Sequence, residues 1–490
     1  MRTLVTASWV IAHDGRTHVE LPDGGVLIDG DTVLDVGDRA ALARTPVDRH
    51  VELGEAVLTP GLIDLDALTD IDHLILDSWA PPERADGYVW SEAYFDRPRA
   101  VFDAAQRRTV RTYALTQLAL HGITSYMPIA SEVHSDWAET HEDLVAMAEV
   151  SRSLGLRGFL GPSFRSGVNV IGADGEPTVK YDEEAGRRGL AEALRFLDHT
   201  EKLADPLVTG VLLPCRIETL TPELLRDIAR AAERRGALVR LHALQGNAER
   251  AYVRRTHGMT PLQLLAETGL LSDRLIVPHG VVLDVHPDVL GTDTGDTAVL
   301  AEAGVSVVHC PLTNARYAHH LHTFGAYRER GVNLCLGTDS FPPDLIRGID
   351  TGVQVAKLQA GDLGQGHLAG YFEALWTGGP APPRPRPDRP RRRRRPHGLR
   401  ARRLPHGRDR GPAAHPGPQR HRARRGPHHG RRPGRHARRA DPRRRPRRAA
   451  ARRAGAVRPD ARGLPGAGPP PAAGGGTLPA CLPARLTDRG

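Results

Sequence analysis

The chain is short of the residues that mark a disulfide scaffold, a membrane span or an aromatic binding platform. Its 490 residues include 4 cysteines, and aromatics make up only 4%. Cys215, Cys310, Cys335 and Cys481 form no CxxC pair. That argues against a disulfide framework and against a cysteine-rich zinc site, and points to a reduced, cytoplasmic setting. No apolar run approaches the roughly 20 residues that span a bilayer, so no membrane partner is expected. The opening "MRTLVTASWVIA" carries one charge and passes straight into alternating "GGVLIDGDTVLDVGD". It reads as a strand rather than a secretory signal.

The end of the chain lacks more. Residues 380–490 contain no Lys, Glu, Ile, Asn, Ser, Phe, Tyr, Trp or Met. They hold 33 Arg against 5 Asp, while the rest carries 34 Lys+Arg against 53 Asp+Glu. The overall charge of +9 therefore conceals an acidic body and a strongly basic tail. Such a tail has nothing with which to bury a core, so disorder is expected over 379–490. An arginine arm binds phosphates non-specifically, and this one lacks the aromatics that would add base stacking. The preferred origin is a GC-rich gene read out of frame, because Arg, Pro, Ala and Gly share GC-rich codons and the change after "EALWTGG" is abrupt. Nucleic acid is thus a disfavoured partner.

What is present is two patterns in succession. Residues 1–58 read as short strands, with a hairpin expected around Gly30-Asp31. From 59 to about 378, helical stretches alternate with short apolar strands. In "TPELLRDIARAAERRG", Thr221 caps, Pro222 fits the first turn, Leu225, Ile228, Ala229 and Ala232 form the apolar stripe, and Gly236 ends the helix. Apolar strands end near His242, His279, His309 and Asp339, at intervals of 37, 30 and 30 residues. One βα unit takes roughly 30 residues. Four polar, metal-capable residues at successive strand ends predict a shared site on the carboxyl face of a parallel α/β barrel. A lone strand-end histidine would more simply be a satisfied core residue.

Six stretches then carry a resemblance. They are "TPGLID" at Thr59, "LHGITSY" around Gly122, "LHALQ" with His242, "VPHG" with His279, "VVHCPLTN" from Val307 to Asn314, and "LGTDS" with Asp339. Together and in this order they resemble the amidohydrolase superfamily, in its cytosine-deaminase-like and chlorohydrolase branch that includes the triazine hydrolases. The resemblance covers about residues 1–378. It implies a (β/α)8 TIM barrel over 59–378 and a small β-sandwich built from the chain ends, with 1–58 its N-terminal part. It also implies a divalent metal, zinc first and iron or manganese as alternatives, and a metal-activated water that attacks a carbon bearing a nitrogen or halogen leaving group. A divalent cation lowers the pKa of bound water from about 15.7 towards 7. By the same resemblance His242 is a metal ligand, His279 polarises the substrate or transition state, and Asp339 contacts the metal and takes a proton from water. His309 and Asn314 fall in an element that shapes the site wall and are expected to be structural.

Two departures bear on the chemistry. Where the family places two histidines on the first strand, this chain has Asp66 and Leu68. Asp66 can still bind a metal and Leu68 cannot; Asp70, Asp72 and His73 follow in the loop. Three residues after His242, where the family has a proton-shuttling Glu, stands Gln245. It can hydrogen-bond a substrate but carries no proton at neutral pH, and a lost acid or base typically costs roughly 10²–10⁴ in rate. The expected catalytic set is therefore Asp339, His279 and Gln245, and the metal set is His242, Asp339 and Asp66. Hydrolysis of a small, cyclic C–N substrate is expected in preference to deamination. The alternative is a metal-free binding or regulatory relative. "YAHHLHT", with His319, His320 and His322, is expected to be a solvated or substrate-facing loop, a second metal site being the alternative. The aromatic insert "SWAPPERADGYVWSEAYFDRP" reads equally as a packed loop or a substrate lid. A homo-oligomer is compatible with the sequence.

Overall fold

The computed structural model describes residues 1–14, 17–69, 90–91, 102–129, 138–171, 177–319 and 323–377. The tail after 377, the loop with Asp70, Asp72 and His73, nearly all of the aromatic insert, and His320 and His322 lie outside the described residues.

The N-terminal residues form one sheet. Arg2–His13 runs antiparallel to His18–Asp29, which runs antiparallel to Thr32–Asp38. The expected hairpin falls on Gly30-Asp31: Asp29 pairs with Thr32, and Gly30 has φ 58°. Glycine adopts that left-handed conformation without a Cβ penalty. Arg49–Glu52 and Val57–Leu58 pair in parallel with the two halves of Arg2–His13. Ala7, Val10, Ala12 and Val36 bury one cluster, and Leu4, Leu27 and Leu42 another.

Eight parallel strands follow. Leu62–Leu68, Ile123–Ile129, Arg157–Leu160 and Val208–Gly210 form strands one to four, paired in sequence. Val239–Arg240, Leu275–Pro278, Ser306–His309 and Asn333–Leu336 form strands five to eight. Two seams close the ring. Between strands four and five, Leu212 bridges Val239, and Arg240 N donates to Leu212 O at 3.0 Å. Between strands eight and one, Asp339 N donates to Asp66 O at 2.8 Å. The result is the expected (β/α)8 barrel.

Strand alternation sorts the side chains. Leu65, Met127, Val211, Leu213, Ile276, Val308 and Cys335 fill the interior. Leu62, Tyr126, Leu160, Leu241, Val277, Val307 and Leu334 point outward into the layer shared with the helices. Burying each such side chain contributes about 1.5–3 kcal/mol. The helix Pro222–Arg235 starts and stops where its sequence says it should. Thr221 accepts from Leu224 N, and Gly236 ends it at φ 64°. Its buried stripe is Leu224, Leu225, Ile228, Ala231 and Ala232, so the expected Ala229 lies at the margin and Ala231 takes its place. Among the described residues no helix is long and apolar enough to cross a membrane.

Candidate metal centre

The carboxyl ends of strands one, five, six and eight meet. Asp66, His242, His279 and Asp339 each offer one ligand atom, and these four atoms lie within 4.8 Å of one another. Three of the four residues that the strand spacing selected are in this group, together with Asp66. The fourth, His309, is not. Strand seven alternates Ser306, Val308 and Cys310 against Val307 and His309, and the second set faces the helices. His309 is buried there, its Nε2 3.3 Å from the Tyr371 hydroxyl. Burial pushes its pKa down to about 4. The four-strand register therefore holds for three strands and fails on the seventh for a reason of parity.

Strand one reaches the site through an irregularity. Its pairing with strand two shifts between Asp64 and Ala67, as at a β-bulge, which re-aims side chains. Leu65 stays among the interior apolar residues, and Asp66 is fully buried among the ligands. Asp64 braces the turn: its Oδ1 accepts from Asp66 N and Thr338 N, both at 3.1 Å, and its Oδ2 accepts from Thr338 Oγ1 at 2.7 Å. Burial pushes the Asp64 pKa up to about 7 against those hydrogen bonds. A Cβ on Gly337, the residue after strand eight, would sit 2.7 Å from Asp66 Cβ, so glycine is needed here for the chain to approach strand one. Leu68 is buried and offers no ligand.

Strand five supplies His242 and, two residues earlier on the same face, Arg240. Arg240 is 2% exposed, and its Nη1 pairs with Asp66 Oδ1. The other carboxylate oxygen, Asp66 Oδ2, lies 3.6 Å from His242 Nε2 and 3.8 Å from Cys310 Sγ. Burial alone would raise the Asp66 pKa, but His242 and Arg240 outweigh it and hold the group well below the carboxylate range. The sequence reading missed Arg240. A buried-strand arginine two positions before a ligand histidine was the available clue, because i and i+2 share a face.

His279 is 1% exposed, and its Nε2 is buried, 3.4 Å from Asp339 Oδ2 and without a hydrogen-bond partner among the described residues. Its Nδ1 lies 3.0 Å from Asn314 Oδ1, carried by the short helix Pro311–Arg316. With Nδ1–H donating to that oxygen, the Nε2 lone pair faces the other ligands. Burial first, then His242, pushes the His279 pKa down to about 3, so the ring is neutral. Asn314 thus touches a ligand directly, a role beyond shaping the wall. Leu244, His279 and Asp339 hold φ of 60°, 66° and 45°, conformations that non-glycine residues adopt mainly where a site demands it.

Gln245 follows His242 by three residues in the chain. Its Oε1 accepts from Arg216 Nη1 at 2.5 Å, and its backbone N–H donates to Glu249 Oε2 at 3.0 Å. His319 is described and belongs to no second metal-binding group among the described residues.

Two imidazoles and two carboxylates, with a buried His279 Nε2 that has no hydrogen-bond partner among the described residues, fit a divalent cation and suit zinc in particular.

Comparison with known proteins identifies the family. A model described as the amidohydrolase family matches residues 57–369. The chain is 28% identical over 384 residues to a 5-methylthioadenosine/S-adenosylhomocysteine deaminase of Halobacterium salinarum, covering 77% of this chain and 79% of that one. A protein of the same name from Natronomonas pharaonis is 26% identical, with 72% and 74% covered. Among solved structures, an adenosine deaminase from Xanthomonas campestris with bound zinc superposes at TM-score 0.60 and 22% identity, covering 77% and 78%. A variant of atrazine chlorohydrolase from Arthrobacter aurescens TC1, complexed with zinc and atraton, gives 0.60 and 18%, covering 77% and 82%. The expectation that deamination is disfavoured finds no support here, since the curated relatives are named deaminases.

Proposed function

The chain belongs to the amidohydrolase family, and on that footing we propose that it is a metal-dependent hydrolase of carbon–nitrogen bonds other than peptide bonds. The substrate is a small cyclic molecule, and the first class to test is an aminated purine or its nucleoside. One observation carries the reading: ligand atoms of Asp66, His242, His279 and Asp339 lie within 4.8 Å of one another, and the buried His279 Nε2 has no hydrogen-bond partner among the described residues.

In this reading those four residues hold the metal. Zinc is the first choice, with iron or manganese as alternatives. A divalent metal there supplies Lewis acidity, making water a usable nucleophile at neutral pH. Asp339 Oδ2 accepts the proton of the attacking water and returns it to the leaving nitrogen. With Nδ1–H donated to Asn314, His279 offers the site only its Nε2 lone pair, so in this reading it serves as a ligand rather than as the group that polarises the substrate. Gln245 binds rather than transfers protons. With its Oε1 taken by Arg216, its NH₂ is left to donate to an acceptor such as a ring nitrogen. Gln245 removes one proton carrier and leaves Asp339 as the other, so the substitution lowers the rate without abolishing deamination. The compartment we assign is the cytoplasm.

The test is metal analysis of protein produced with zinc, iron or manganese, followed by assay of ammonia release. Substrates would be 5-methylthioadenosine, S-adenosylhomocysteine, adenosine and guanine, with chlorinated triazines as the halide-leaving control. Stoichiometric metal and ammonia from an aminopurine are expected. Trace metal under all three growth conditions would sink the reading in favour of a metal-free binding protein.

A further inference from the structure

The structure assigns Arg240 a positioning role: it holds Asp66 as a one-oxygen metal ligand and offsets that ligand's charge. The inference rests on the metal-dependent reading above. The pair is nearly sealed from solvent, with Arg240 2% and Asp66 0% exposed. Arg240 Nη1 engages Asp66 Oδ1, which leaves Oδ2 as the oxygen nearest His242 Nε2. Asp66 therefore presents one oxygen to the cluster, whereas an unclamped carboxylate could chelate through both.

Charge gives the second half of the argument. Imidazole binds a metal through an uncharged lone pair, so two imidazoles and two carboxylates bring −2 to a divalent ion and leave the centre neutral. The buried guanidinium, always protonated, adds +1. Asp66 with Arg240 thus counts as one neutral ligand, and the ion, its four ligands and Arg240 together carry +1. That charge is what attracts substrate oxygen or nitrogen and favours loss of a proton from water. Arg240 also accounts for stability without metal, because it neutralises a buried carboxylate that would otherwise be unpaired.

The experiment compares zinc affinity, by competition with a chromophoric chelator, and thermal unfolding with and without zinc. The proteins are the full chain, Arg240→Met and the double variant Asp66→Leu/Arg240→Met. In Arg240→Met, Asp66 loses its guanidinium partner and its charge is left for the metal to offset. Zinc affinity should rise at least tenfold, and zinc should raise the melting temperature more than in the parent. The double variant replaces the whole pair by apolar side chains, which buried pairs often tolerate. It keeps the fold if the single variant does not, and it should bind zinc at least tenfold more weakly than the parent. Arg240→Lys, which keeps the charge and loses the fork, should bind zinc close to the parent value. Unchanged affinity in both Arg240→Met and the double variant would mean that the pair is only structural, and would overturn the inference. If the parent chain itself takes no zinc, the metal-dependent reading fails first, and the two failures are distinguished.

Discussion

Asp66 and His279 contribute to one cluster but are held by opposite kinds of support. Asp66, on strand one, is fixed by charge: a sealed guanidinium from strand five takes one of its oxygens. His279, on strand six, is fixed by a neutral hydrogen bond to Asn314 from the helix after strand seven. The difference follows from the ligand type. A buried carboxylate carries a charge that must be matched, and desolvation without a partner is expensive. A neutral imidazole needs only a tautomer and an orientation, which one oxygen can supply. The strand-one side of the site should therefore fail through stability, and the strand-six side through metal affinity.

The largest effect should come from breaking the charged side. Asp66→Ala leaves Arg240 buried and unpaired, at a cost of about 3–5 kcal/mol. Chemical denaturation of the metal-free protein should show the loss, and zinc should not restore it, because a ligand has gone as well. Full restoration by zinc would mean that Arg240 finds another partner and that the charge comparison is wrong.

Breaking the neutral side should do less to stability and more to the metal. Asn314→Leu removes the acceptor for His279 Nδ1 and frees the ring to rotate or change tautomer. Loss of such an outer partner lowers metal affinity by roughly 10–100-fold. Chelator competition on the folded variant measures this directly, and an unchanged affinity would remove Asn314 from the account.

These two supports were not equally legible in the sequence. His242, His279 and Asp339 could be found because they end apolar strands at barrel-unit intervals. Asp66 was found through the resemblance of "TPGLID". Arg240 is not legible, because a charged residue inside "ALVRLHAL" looks like strand punctuation until its partner across the barrel is known. Asn314 sits 35 residues from His279, and no local pattern joins them. The barrel itself was legible throughout, since helix caps such as Thr221 and Gly236 act locally. What could not be read was parity, meaning which residue of each strand end faces inward.

A third support gives a smaller effect with a pH signature. Glu249 accepts from Leu244 N at 2.7 Å and Gln245 N at 3.0 Å, bracing the loop after His242. Burial first, and then Glu218, raises its pKa from the ordinary 4.5 to about 8. Between those values the unfolded chain has released the proton while the folded chain still holds it. Stability should therefore fall as pH rises through that window and level off above it. Glu249→Gln should flatten that part of the stability profile. A slope unchanged in the variant would place its origin elsewhere.

The smallest effect should come from His309, and its smallness is informative. Sequence spacing treats it as equal to His242 and His279, whereas the pleat of strand seven turns it outward onto Tyr371 and Phe324. His309→Phe keeps a flat ring among those aromatics and loses one hydrogen bond to the Tyr371 hydroxyl, worth about 0.5–1.5 kcal/mol. Zinc content and turnover should stay at the parent values. A histidine that ligated metal would behave otherwise, because no phenylalanine can replace it as a donor. If His309→Phe emptied the site, strand seven would have to face inward at this residue. The separation drawn between its apolar Val308 face and its helix-facing Val307–His309 face would then be lost with it.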